Sequence, residues 1–307
     1  MKLEDLLNLW LDKYVKNSVK IRTYNRYKDI CNSHLKVYLG EKDINQLKLD
    51  VLQNYVSILI KHNYSTNTIK GIISVLKQAL HLAIQLELIE KEYTSLIRLP
   101  QINEKQISFF NKNEQEKLIT FCINNKNKNY IGIVICLLTG IRLGELLALT
   151  WNDIDFENKI LKINKTVFTT KIENHYKQII DTPKTKKSVR EIPLSNNLIE
   201  VLKNIKNESK SKYIITTKKL GIVSNRSYQR TFKFILKKNN IPYKNFHALR
   251  HTFATNAVNI GMDVKSIADI LGHSNVMITV NRYAHSFLDY KIQMMNKLDN
   301  QIFNTAI

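Results

Sequence analysis

Apolar side chains recur at helical spacing from the start of the chain. Leu3, Leu6, Leu7, Trp10, Leu11 and Tyr14 form one stripe, and Tyr24, Tyr27, Ile30, Cys31 and Leu35 form a second. A third helix is expected over about Leu49 to Ile60. A fourth opens after Ser65 and aligns Ile69, Ile72, Ile73, Leu76, Leu80, Ala83 and Ile84. Leu99-Pro100 and the polar stretch Gln101 to Gln106 then break the pattern, so residues 1–97 read as a helical bundle, 98–106 as a linker and 107–307 as a second domain.

The second part begins helical as well. Asn113 with Glu116 reads as a capping box, and the run Ile131 to Ile141 as a core helix, since it is shorter than the ~20 residues a membrane helix needs. The pattern then changes to short β-prone runs, Ile160 to Ile163, Gln178 to Ile180 and Val189 to Leu194. Helices resume after Ser195, with segments at Ser224 to Lys238, His247 to Asn259 and Val264 to Leu271, a short one around Tyr283, and a last one from Ser286 to Phe303. The fold class expected is mainly α with a small antiparallel β-sheet in the second domain.

Composition narrows the partner. Across 307 residues, 47 Lys and Arg outnumber 26 Asp and Glu, giving a net charge of +21, which calls for a polyanion such as nucleic acid or an anionic membrane. Most of that excess lies beyond residue 105: the first 105 residues carry +5 and the remainder +16. Lys159 to Arg190 holds nine basic residues against Glu173 and Asp181, a pattern that a solvated surface hairpin would also satisfy. Cys31, Cys122 and Cys136 have no CxxC spacing, and the acids in MKLEDLLNLW do not suit a signal peptide, so a cytoplasmic protein is expected.

Four segments carry candidate chemistry: Thr139 to Glu145 (TGIRLGE), Thr182 to Thr185 (TPKT), His247 to His251 (HALRH), and Leu271-Gly272-His273 followed ten residues on by Tyr283. Each alone fits a structural role. In this order they resemble the tyrosine recombinase, or phage integrase, family, and the flanks Lys184-Thr185, Arg250 to Thr255 (RHTFAT) and Tyr283-Ala284-His285 extend the likeness. The resemblance implies a two-domain DNA clamp, with a helical core-binding domain and a catalytic domain, and matches Arg142, Lys184, His247, Arg250, His273 and Tyr283 to the family's catalytic set.

The reaction explains these residue types. Displacement at a phosphodiester passes through a state more negative than the ground state, which fixed cations stabilise. Arg142 and Arg250 suit it, because the guanidinium fork takes two oxygens and stays charged. Tyr283, with an ordinary phenol pKa of about 10, needs its proton drawn off, and the resemblance gives His247 that help. Lys184, at the hairpin tip, is expected to protonate the departing 5′ oxygen, and His273 to hydrogen-bond the scissile phosphate. Glu145 reads as an orienting partner for an arginine.

No cofactor is expected, because a phosphotyrosine link would conserve the energy needed for rejoining, and no P-loop is present. His247 and His251 share zinc-type i, i+4 spacing, but Ala248 stands where HExxH requires Glu. The resemblance implies double-stranded DNA with a specific core site as partner, and a homotetramer on paired sites in which accessory DNA-bending or directionality proteins can join. The stripe Phe287, Tyr290, Met294, Leu298 and Ile302 either packs on its own domain or is exchanged with a neighbouring protomer. No membrane partner is expected. The sequence opens directly on the helical bundle, so the compact type without an arm-binding domain is anticipated. A type IB topoisomerase and a catalytically silent DNA-binding regulator on the same scaffold stay open beside the recombinase.

Overall fold

The computed structural model describes residues 1–101, 108–172, 175–182 and 188–305, without the side chains of 284–290, 293 and 303–305. The chain divides into two units: Met1–Lys105 with Thr170–His175, and Gln106–Thr169 with Tyr176–Ile307. The fold class is the expected one, mainly α with a small antiparallel component in the second part.

In the first unit, α1 (Leu3–Leu9) runs on through a π-type turn at Trp10–Val15. α2 (Ile21–Ile30) similarly continues through Cys31–Leu35 into α3 (Lys36–Leu39). α4 (Leu49–Lys61) and α5 (Thr66–Gln85) complete the bundle, and the Ser65 hydroxyl caps α5 by accepting from the Thr68 amide. The stripes meet in one core that includes Leu3, Leu7, Trp10, Leu35, Leu52, Ile69, Ile72 and Leu76. Trp10 stacks on Tyr27 with ring centroids 5.4 Å apart. Truncating a fully buried member, as in Leu76→Ala, costs about 2–5 kcal/mol through lost transfer energy and the cavity left behind.

In the second unit, α6 (Lys112–Ile123) starts two residues earlier than expected. Asn111, not Asn113, is the extended cap, and its side chain and that of Glu114 satisfy each other's backbone amides. α7 (Ile131–Thr139) is buried almost throughout, and Gly140 ends it at φ 64°. An added Cβ there would lie 2.6 Å from the Phe253 ring. α8 (Leu143–Ala148) follows at once. β1 (Ile154–Asp155), β2 (Ile160–Ile163) and β5 (Arg190–Pro193) form an antiparallel sheet in the order β1-β2-β5, with Leu161 opposite Ile192 and Ile163 opposite Arg190. β3 (Thr166–Ile172) and β4 (His175–Asp181), of which Thr170–His175 is counted with the first unit, form a separate two-stranded sheet, so the expected single sheet is two.

The remaining helices are α9 (Asn196–Asn207), α10 (Asn225–Lys238), α11 (Ala248–Asn259), α12 (Val264–Leu271), α13 (Val276–Arg282) and α14 (Ala284–Thr305). α11 carries site residues and is held in place by Thr252, whose hydroxyl donates to the Ala248 carbonyl and accepts from the Phe110 amide at 2.8 Å. The three cysteines are free and buried. Among the described residues, no helix is long and apolar enough to cross a membrane.

Candidate active site

The turn that ends α7 is the floor of the site. Gly140 reverses the chain, and its carbonyl accepts from Arg250 Nη1 at 2.9 Å. Arg142, two residues on, precedes α8. Its amide donates to Glu145 Oε2 at 3.0 Å, its Nη1 to Oε1 at 2.8 Å, and its Nη2 to the Gly272 carbonyl at 3.2 Å. The guanidinium is therefore held from two sides, yet 38 % of the side chain stays exposed, enough for an anion to reach it.

Glu145 is buried and ion-pairs Arg190 as well, with Nη2 to Oε2 at 2.9 Å and Nη1 to Oε1 at 3.3 Å. Burial alone would raise its pKa. The hydrogen bond and charge of Arg190, followed by the charge of Arg142, outweigh that and hold the carboxyl below its ordinary value of 4.5. Arg190 also donates to the carbonyls of Ser188 and Ile270, joining β5 to the end of α12. Glu145 thus contacts Arg142, the arginine its sequence position suggested, and Arg190 as well. Arg190 was not anticipated. The signal was in the period of two along the strand: Arg190 falls on the same face as Ile192 and Leu194, and that face is buried.

Arg250 is itself buried, 3 % exposed, in the first turn of α11. Burial, then the charge of Arg142, pulls its pKa down to about 9, so it remains a cation at neutral pH. His247 borders an open cleft of about 270 Å³ with Arg250, Asn225, Gln229 and Asn245. Its ring meets that of His251 edge-on, centroids 4.7 Å apart. His273 follows Gly272, which adopts φ 65°, and its Nδ1 is hydrogen-bonded to Thr279 Oγ1 at 2.7 Å. Burial first, and surrounding arginines with it, lowers His247 and His251 to about 4 and His273 to about 3, so all three are neutral at pH 7.

Tyr283 is only 3 % exposed and packs among Ala254, Ala257, Val258, Ile267 and Leu271. Burial raises its pKa, while Arg250 and Arg282 act in the opposite direction. Its hydroxyl lies 2.9 Å from His251 Nδ1. The sequence suggested His247 for that position; the structure puts the next histidine on the same helical face there. Lys184 lies outside the described residues.

Arg142, His247, Arg250, His273 and Tyr283 come together from separate segments. The arrangement offers two guanidinium cations of the kind that suits a phosphate, neutral imidazoles able to give or take one hydrogen bond, and a phenol beside a hydrogen-bonding imidazole nitrogen. Fold and chemistry together define a DNA strand transferase of the tyrosine type. The model of the phage integrase family matches residues 108–289, and that of the phage integrase N-terminal SAM-like domain matches residues 2–60, so the chain belongs to the phage integrase family of site-specific recombinases.

The chain is 29 % identical to a XerC-like tyrosine recombinase of Caldanaerobacter subterraneus, over 97 % of this chain and 83 % of that protein. It is likewise 29 % identical to the transposase from transposon Tn916 of Enterococcus faecalis, over 86 % of this chain and 69 % of that one. Among solved structures, the integrase of transposon Tn1549 in complex with a circular intermediate DNA superposes with a TM-score of 0.84 at 25 % identity, covering 97 % of this chain and 99 % of that one.

Proposed function

We propose that the protein integrates and excises a mobile element by cutting one DNA strand at a specific core site through Tyr283 and joining it to a partner strand. Tyr283 Oη attacks the phosphorus, the bond to the 5′ oxygen breaks, and a 3′-phosphotyrosine and a free 5′ hydroxyl result. The phosphodiester's energy is kept in the new ester, so the reverse attack by a 5′ hydroxyl reseals DNA without ATP. Arg142 and Arg250 hold the non-bridging oxygens, whose charge grows towards the transition state; one such contact is worth about 3–4 kcal/mol. His273 and His247 hydrogen-bond the same phosphate, and Lys184 protonates the leaving oxygen.

One observation carries this reading: a buried tyrosine hydroxyl is hydrogen-bonded to a neutral imidazole in the same cluster as two arginines, one of them partly open to solvent. The transposon enzymes among the relatives favour element mobility over dimer resolution. The two parts of the chain, residues 1–97 and 107–307 joined by 98–106, both bind the duplex, in keeping with the basic excess of both. Two recombining sites call for a homotetramer. Ile292, Met295, Leu298 and Ile302 of α14 are each at least half exposed, which suits exchange of that helix between protomers.

The test is strand exchange between two DNA molecules that each carry a candidate core site. Recombinant products support the reading. Relaxation of supercoils without exchange would instead mark a topoisomerase, and binding without cleavage a silent regulator.

A further inference from the structure

We propose that His251, rather than His247, takes the proton from Tyr283 as that oxygen attacks the phosphorus; the inference rests on Tyr283 being the nucleophile. His247 stands at the N-cap of α11 and His251 one turn further on, and the structure gives them different neighbours. His247 borders the open cleft with Arg250. His251 points its Nδ1 at the tyrosine hydroxyl, 2.9 Å away, with ring centroids 5.9 Å apart. The tyrosine side chain packs among apolar residues, and His251 is the hydroxyl's hydrogen-bond partner among the described residues. With the ring proton on Nε2, Nδ1 is the acceptor and Tyr283 the donor.

Among the described residues, the titratable and charged groups facing His251 are Tyr283 Oη, His247 edge-on and Arg250 from its own helix, and Arg282 from α13. Burial, with the two arginines, keeps the ring neutral at the pH where the enzyme works. It is therefore free to receive a proton. The same charges make it a weak base at rest, when the phenol holds its proton firmly. A bound phosphodiester changes both conditions. Its negative charge beside Arg250 raises the imidazole's affinity for a proton, and bonding to phosphorus makes the phenolic proton acidic, so transfer accompanies attack. The proton moves from Oη to Nδ1, the Oη–P bond forms, the P–O5′ bond breaks, and the 5′ oxygen takes a proton from Lys184. Rejoining returns each proton along the same route.

The experiment is single-turnover cleavage of a duplex bearing the core sequence recovered from covalent adducts, with sulfur replacing the scissile 5′ bridging oxygen. A thiolate leaves without protonation, so the measured rate reports the attack by Tyr283 and the fate of its proton alone. His251→Asn keeps a hydrogen-bonding atom near the Nδ1 position but cannot hold the proton; His251→Ala removes the group. Both should be slower at neutral pH by about 10²–10⁴-fold and gain about tenfold per pH unit, as deprotonation in solution replaces the missing acceptor, while the wild type is flat over that range. If His251→Ala binds DNA poorly, His251→Asn carries the comparison. The proposal is overturned if both variants cleave within about threefold of wild type, if they are slow with a flat pH profile, or if His247→Asn alone acquires the pH slope. Adducts formed by Tyr283→Phe would be a different failure, that of the nucleophile assignment.

Discussion

Replacing Arg190 with methionine removes one partner of a buried ion pair and leaves the other in place. Glu145, 4 % exposed in its side chain, would lose two guanidinium contacts, and the carbonyls of Ser188 and Ile270 would lose their donor. Breaking a buried pair from one side costs about 3–5 kcal/mol, because the stranded charge keeps its desolvation penalty. Glu145 retains the side chain and amide of Arg142, so the lower end, about 3 kcal/mol, is expected. That is a large share of the ~5–15 kcal/mol by which domains are stable.

Urea unfolding of wild type, Arg190→Met, Glu145→Gln and the double variant measures this. The double variant should be more stable than the sum of single losses implies, with a coupling of about 1–3 kcal/mol. The sign of the pH dependence follows from the lowered pKa of Glu145. Stability from the pair is fully present above the ordinary carboxylate value and is lost as pH falls through the lower folded value, so the gap between wild type and Arg190→Met should narrow in acid. Arg142 should also shift, with cleavage falling by up to about 10²-fold at unchanged DNA affinity. A loss below about 1 kcal/mol, strict additivity, or a gap unchanged in acid would refute the argument.

Three further outcomes are expected. Arg142→Lys and Arg250→Lys should each lower single-turnover cleavage by about 10²–10³-fold, since a point charge cannot replace the two-pronged contact; near-normal rates would remove them from the phosphate site. If the protein neutralises about ten phosphates, log K for DNA should fall against log salt with a slope near −9 in a fluorescence titration, and a slope near zero would exclude a duplex-gripping mode. Truncation after Ser286 should abolish cooperative assembly on paired sites in gel-shift assays while sparing single-site binding, and unchanged assembly would rule out helix exchange.

What the sequence revealed depended on how local the cause was. Long amphipathic elements such as α5 were legible, because the stripe from Ile69 to Ala83 and the cap at Ser65 lie in one continuous segment. α8 escaped, being six residues long with Gly144 inside it, and so did β3. The capping box was displaced by two residues because Asn111 and Glu114 satisfy the same three-residue spacing as Asn113 and Glu116.

The site divides in the same way. Arg142, Arg250, His273 and Tyr283, which the structure brings together, each lie in a distinctive short motif. Arg190 was overlooked because its importance comes from partners 45 and 80 residues away, Glu145 and Ile270. His251 stood in view beside Arg250, yet only the packing of Tyr283 against α11 distinguishes it from His247. Lys184 remains an assignment from sequence, outside the described residues.

The central claim is tested most directly by trapping protein–DNA adducts under denaturing conditions from cells expressing the wild type or Tyr283→Phe, digesting both components and identifying the modified peptide. The account predicts adducts at one recurring DNA sequence, the phosphoester on the peptide containing Tyr283, and none from the variant. A phosphoester on another residue, or no adduct from wild-type protein that is folded and bound to DNA, would contradict it.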